Sequence, residues 1–181
     1  MVRSSLLFLT TVFVSIACLA QAPTAPNLEV ERAAMKKLSF LTGKWRGDAS
    51  MLRAGGQYVE MAQTEEAQYK LDGLILTIEG VGTAKSDGKP VLRALGLISF
   101  DDASGSYRMR AFNDGRWLET DVVLGNDGKS LAWGFTLGEA RTNSTLRMND
   151  KGEWTEYAEL TIGPSAPRKL LELNVRRTAD Q

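Results

Sequence analysis

RMRAFNDGRWLETDV, residues 108–122, is the stretch whose reading decides the fold. Two runs that alternate with a period of two flank Asp114-Gly115, a two-residue turn that closes a β-hairpin. In that register Phe112 faces Trp117, Arg110 faces Glu119 and Arg108 faces Asp121, all on one side of the ribbon. The other side carries Tyr107, Met109, Ala111, Leu118, Thr120 and Val122, the apolar set expected against a core. A one-residue change of turn would exchange the two faces. The charged side has two readings. It is an outer, solvated face with paired ions, or it is a ladder inside a wet lumen, where Arg108, Arg110 and Glu119 orient a polar ligand head beside Phe112 and Trp117.

The same period runs outward in both directions. From Lys44 onward, ten segments from RGDASM to KLLELNVRR read as strands, separated by turn signals such as KSDGKP, DDASG, GNDGK and NDKG. Short antiparallel strands with tight connections favour closure, because closure removes the unpaired edges of an open meander. The expected fold is all-β: a roughly ten-stranded antiparallel up-and-down β-barrel, with a β-sandwich as the alternative. No stretch reads as strand, crossover helix and strand, so a parallel α/β fold is not expected.

Ahead of the strands lies NLEVERAAMKKLSFL, residues 27–41. Asn27 suits an N-cap, Glu29 and Glu31 suit the positive helix start, and Lys36 and Lys37 suit its end. Val30, Ala34, Leu38 and Leu41 recur at helical spacing, and Gly43 is expected to stop the helix. One short helix cannot form a domain, so its apolar face is expected to lie across the barrel.

Residues 1–20 read as a secretory signal. Arg3 is the n-region, Leu6 to Ala17 an apolar run, and Cys18 and Ala20 are small residues before a cleavage point after Ala20. The run is shorter than the roughly 20 residues a membrane span needs. Lipidation of Cys18 is the competing reading, against which Ser15 and Ile16 stand where such signals carry a large aliphatic residue. Residues 21–26 are a proline-containing tether, and 27–181 a single domain. The destination is therefore secreted or periplasmic, with no transmembrane anchor after cleavage.

The 181 residues carry 22 basic and 22 acidic side chains, 43% hydrophobic residues and no histidine. A chain of this size buries its own core without staples. Its zero net charge supplies no field for a phosphate backbone, so nucleic acid is not an expected partner. Removal of residues 1–20 takes the single cysteine, so no disulfide is expected. Without histidine, Ser/His/Asp and Cys/His nucleophiles and histidine-ligated zinc or haem are excluded. No metal and no cofactor is expected.

Other motifs give less. Glu119 and Asp121 lie about 7 Å apart along one strand face, inside the carboxylate spacing of inverting glycosidases, but each has an arginine partner in the hairpin register, and no catalytic residue is assigned. Glu65-Glu66 and Asp101-Asp102 read as solvent-facing acids. Gly80-Val81-Gly82 opens no helix and is not a phosphate loop. In SLAWGFTL, Leu131, Trp133, Phe135 and Leu137 share one face; it reads as core packing, with Trp133 as a ligand contact if the interior is hollow.

FLTGKWRG, residues 40–47, supplies the seam. Gly43 lets the chain turn, Trp45 offers a flat face at the barrel end, and Arg176 of the last strand is expected to stack on it. Together with EGVGTAKSDGKPV, ALGLISFDDASGSYRMRAF and LAWGF, this motif resembles the DUF1579 family of uncharacterised bacterial proteins, over about residues 38–177. The resemblance implies a lipocalin- or nitrobindin-like calycin barrel with an interior cavity, and makes Trp45 the counterpart of the tryptophan in the barrel-closing GxW motif. Nitrobindin-like proteins hold haem through a histidine near the C-terminal strands; KLLELNVRRTADQ has none, so the cofactor does not carry over.

Two functions remain. One is a non-catalytic barrel that binds a small, mostly apolar molecule. The other is a structural or protein-interaction module with a filled barrel and no small ligand. The size of the interior separates them.

Overall fold

The computed structural model describes residues 25–178 apart from Asp114; the segment 1–20 expected to be a signal and most of the expected tether 21–26 lie outside them. One helix, α1 (Leu28–Lys36), precedes ten strands: β1 (Gly43–Leu52), β2 (Tyr58–Lys70), β3 (Ile75–Ala84), β4 (Pro90–Asp101), β5 (Ser106–Asn113), β6 (Arg116–Leu124), β7 (Ser130–Leu137), β8 (Ala140–Met148), β9 (Trp154–Ile162) and β10 (Arg168–Arg177). Each strand pairs antiparallel with its neighbours in sequence, and β1 pairs with β10, which closes the barrel. No sheet edge is left unpaired, the liability that closure removes.

The decisive hairpin folds in the register read from its sequence. Phe112 lies opposite Trp117, Arg110 opposite Glu119 and Arg108 opposite Asp121, and Asn113 pairs with Arg116 around the two-residue turn. Tyr107, Met109 and Val122 are buried. The apolar set therefore faces inward, and the charged set forms the outer wall.

Helix α1 plugs one end. The Asn27 side chain accepts a hydrogen bond from the Val30 amide at 3.2 Å, the expected N-cap. The Asn27 amide in turn donates to Asp102 Oδ2 at 2.7 Å, in the turn between β4 and β5. At the other end of the helix the last carbonyls lack full intrahelical partners, and barrel side chains supply donors. The Tyr107 hydroxyl donates to the Ala34 carbonyl at 2.7 Å, and the Tyr69 hydroxyl to that of Met35 at 2.6 Å. Ala34, Met35, Leu38 and Leu41 are buried beneath them. Val30, expected on that face, is 45% exposed, because the helix rolls to put Met35 inward.

The helix does not run to Gly43. It ends at Lys36, and a three-residue 3-10 turn, Ser39–Leu41, carries the chain into β1. Gly43 is instead the first residue of β1, at φ 116°, a conformation L side chains avoid. A Cβ there would also overlap the Arg177 guanidinium.

Trp45 is buried at the seam. Its indole N–H donates to the Leu41 carbonyl at 2.8 Å, and its ring meets that of Trp154 edge-on at 5.8 Å. The guanidinium over its face belongs to Arg177, at 4.2 Å from the ring centroid, and not to Arg176. Inward and outward residues alternate along β10: Arg177 shares the inner register with Trp45, and Arg176 points outward to a 2.6 Å ion pair with Glu153. Arg177 also donates to the carbonyls of Thr42 and Phe40.

Candidate functional site

The barrel interior is hollow. A cavity of about 540 Å³ runs from the layer of Ile98, Leu131, Leu146 and Trp154 toward the end opposite α1, where Asn113, Arg116, Leu137 and Ala140 border it. Its walls are mostly hydrocarbon, as in ligand pockets generally. Alternation explains the lining: the inward residues of β7 are Leu131, Trp133 and Phe135, and those of β8 are Thr142, Ser144 and Leu146.

Two carboxyls interrupt that lining, Glu65 on β2 and Glu156 on β9. Glu65 sits opposite Trp45 on one side and Gly80 on the other. It is only 8% exposed, and its Oε1 accepts a hydrogen bond from Gln63 Nε2 at 2.7 Å. The space for this pair comes from β3. A Cβ on Gly80 would fall 2.8 Å from Glu65 Oε2, and one on Gly82 would fall 2.6 Å from Gln63 Oε1. The Gly-Val-Gly segment is thus a mid-strand recess for two polar side chains.

Glu156 lies opposite Leu146 on β8 and Leu173 on β10. It has no hydrogen-bond or ion-pair partner among the described residues. It keeps part of its surface accessible, and that surface faces the cavity. Burial disfavours the charged form of both groups. The Glu65 carboxyl is pushed up to about 8, first by desolvation and further by the negative charge of Glu156, against the hydrogen bond from Gln63. Glu156 is pushed up to about 7 by desolvation.

Of the residues expected to contact a ligand, Trp133 alone lines the lumen. Arg108, Arg110, Phe112, Trp117 and Glu119 stand on the outer wall. There Arg108 bridges Glu119 at 3.2 Å and Asp121 at 3.1 Å, while Arg110 reaches Glu119 at 3.4 Å. The charges satisfy one another in solvent, and the Glu119 carboxyl is lowered first by the hydrogen bond from Arg108. Phe112 and Trp117 flank an outer depression of about 640 Å³ with Leu95 and Val81. Trp117 is 59% exposed, so that groove does not take a molecule out of water as the lumen does.

Glu65 was expected to face solvent and does not. The signal lay in the alternation itself: Met61, Gln63, Glu65, Ala67 and Tyr69 share one face of β2, and Met61 and Ala67 mark it as the core face. Trp154, Glu156 and Ala158 on β9 follow the same rule.

No family model matches the chain, and no curated protein matches it in sequence. Several solved structures share the fold, two of them as follows. The crystal structure of Rv2717c from M. tuberculosis superposes with a TM-score of 0.62 at 15% identity, covering 81% of this chain and 98% of that one. The S-type phycobiliprotein lyase CPES from Guillardia theta superposes at 0.58 with 9% identity, covering 88% of this chain and all of that one. At these identities the likeness is one of fold. The chain is a barrel of that architecture, and the family expected from its motifs is not matched by a family model.

Proposed function

We propose that this protein is a non-catalytic binding barrel, exported by its leader to the periplasm or medium, that takes a small, mostly apolar molecule into its lumen. The observation that carries the reading is the cavity of about 540 Å³, walled mainly by Leu, Ile, Met, Trp and Phe side chains. A barrel built only as a scaffold gains nothing from such a void, since each unfilled volume forfeits packing contacts. Helix α1 closes one end, so entry is through the end bordered by Asn113, Arg116 and Leu137. The same barrel architecture carries a phycobiliprotein lyase, which is compatible with a barrel of this kind having a working interior. The non-catalytic reading rests on the lack of histidine, which removes histidine-activated nucleophiles.

Native mass spectrometry of the protein purified from its own host tests the reading. The expected spectrum holds a non-covalent adduct of small-molecule mass that leaves on collisional activation. Ala111→Phe, which fills the lumen, should remove it. The bare protein mass in every charge state, from material never exposed to detergent, would count against it.

A further inference from the structure

The two lumen carboxyls are what an apolar pocket does not need. Each lowers the gain from burying hydrocarbon beside it, because a polar group without a partner is costly away from water. Elsewhere in the barrel, acids of low exposure are matched: Glu153 accepts from Arg176 and from Asn149 Nδ2 at 2.9 Å. Glu65 and Glu156 are not. Glu65 Oε1 is held by Gln63, but Oε2, over the recess left by Gly80, has no donor among the described residues. Both oxygens of Glu156 are likewise without a protein donor. The cation in the cavity lining, Arg116, is at the mouth and forms no ion pair with either acid. Three carboxyl oxygens therefore lack donors in one closed-bottomed, hydrocarbon-walled space.

Resting on the binding reading above, we propose that the ligand is an amphiphilic amine: an apolar body that fills the lumen, with one basic nitrogen that donates to Glu65 and Glu156. An ammonium carries three N–H donors, which suit the three carboxyl oxygens that lack donors; the lining also holds an unpartnered donor, the Trp154 indole N–H. The charges also balance. One carboxyl ionises against the ammonium and releases its proton to solvent, while the other keeps its proton and can donate it to the ligand. The resulting charge-assisted hydrogen bonds are stronger than those a neutral hydroxyl makes. Aromatic side chains in the lining, Trp133 and Phe135 among them, suit a cation as well as an alkyl chain. A fatty acid of the same shape would bring a third carboxyl into the same space.

Isothermal titration of the protein at neutral pH with three probes of one chain length, decylamine, decanol and decanoate, tests the assignment. Decylamine should bind at least about tenfold more tightly than decanol, the scale of one charge-assisted hydrogen bond, and decanoate should bind most weakly. In Glu156→Gln the preference for amine over alcohol should fall below about threefold. Equal binding of amine and alcohol, tighter binding of decanoate, or a preference that survives in both Glu156→Gln and Glu65→Gln would overturn the amine assignment and leave the apolar binding reading standing. No binding of any probe would overturn both. The ranking of probes on the wild-type protein decides the matter even if a variant folds poorly.

Discussion

The Arg177 guanidinium carbon lies 4.2 Å from the centroid of the Trp45 ring, directly across the β1–β10 seam. The pair joins the two ends of the chain. The same guanidinium donates to the carbonyls of Phe40 and Thr42, which ties the last strand to the turn that leads out of α1.

Trp45→Ala should cost about 3 to 5 kcal/mol, as large aromatic truncations in cores do, since Trp45 is 2% exposed and packs on Trp154. Arg177→Ala should cost about 1 to 2 kcal/mol, from the cation-π contact and the hydrogen bonds to carbonyls. The double variant should fall short of the sum by about 0.5 to 1 kcal/mol, because both changes remove one contact. Trp45 and Arg176 should be additive, since Arg176 turns away to Glu153. Urea unfolding of the five proteins beside wild type measures all of this, and strict additivity of Trp45 with Arg177 would show that the seam is held some other way.

Gly43→Ala tests the same corner without touching Trp45. The residue needs φ 116°, and its absent Cβ is the space where the Arg177 guanidinium lies. A loss of roughly 1 to 3 kcal/mol is expected for a non-glycine residue held at such an angle. Gly43→Ala in the Arg177→Ala background should cost less than in wild type, because the overlap has gone and the backbone angle alone remains.

Stability should fall as pH rises through the neutral range, and Glu65→Gln should flatten that fall. An unfolded glutamate titrates near 4.5, while folded Glu65 is raised to about 8. The folded chain therefore holds a proton that the unfolded chain has lost between those values. The resulting stability is complete below about pH 4.5 and is lost as pH rises toward about 8. With about 1.4 kcal/mol for each unit, Glu65→Gln should gain roughly 2 to 4 kcal/mol over wild type above pH 8 and little near pH 4. Chemical unfolding of ligand-free protein at both ends of the range checks it; a constant difference would mean that Glu65 is charged in the folded lumen.

On the outer wall, Trp117→Ala should cost less than about 1 kcal/mol, as surface substitutions do, because Trp117 is 59% exposed. Arg108→Ala and Glu119→Gln should leave lumen binding unchanged, since neither side chain lines the cavity. A change in probe affinity of more than about threefold for either would show that the outer hairpin face communicates with the interior.

The β5–β6 hairpin was fully legible before folding. Turn chemistry at Asp114-Gly115 and a period of two on either side are local properties, carried by neighbours in sequence, and the observed pairs follow them residue by residue. The same holds for the Asn27 cap and for the number of strands. The choice between inner and outer face for the Arg108, Arg110 and Glu119 ladder was also present, in the burial-prone character of Tyr107, Met109 and Val122 opposite it. The functional acids were harder to see. Glu65 and Glu156 are 91 positions apart, on strands separated in the barrel by β10 and β1, so no spacing in the chain relates them.

By itself, then, the sequence determined the class of fold, the hairpin register, the capped helix and the exclusion of histidine chemistry, all of which depend on composition or on residues a few places apart. The tertiary structure decided which arginine covers Trp45, how α1 closes one end, and that two glutamates meet one hydrocarbon-walled cavity. The physical reason is closure. Pairing β1 with β10 sets a register between the two ends of the chain that no local preference encodes, and only that register places Arg177 over Trp45. It also joins β2 and β9 across the seam as walls of one lumen, where Glu65 is raised by both desolvation and the charge of Glu156.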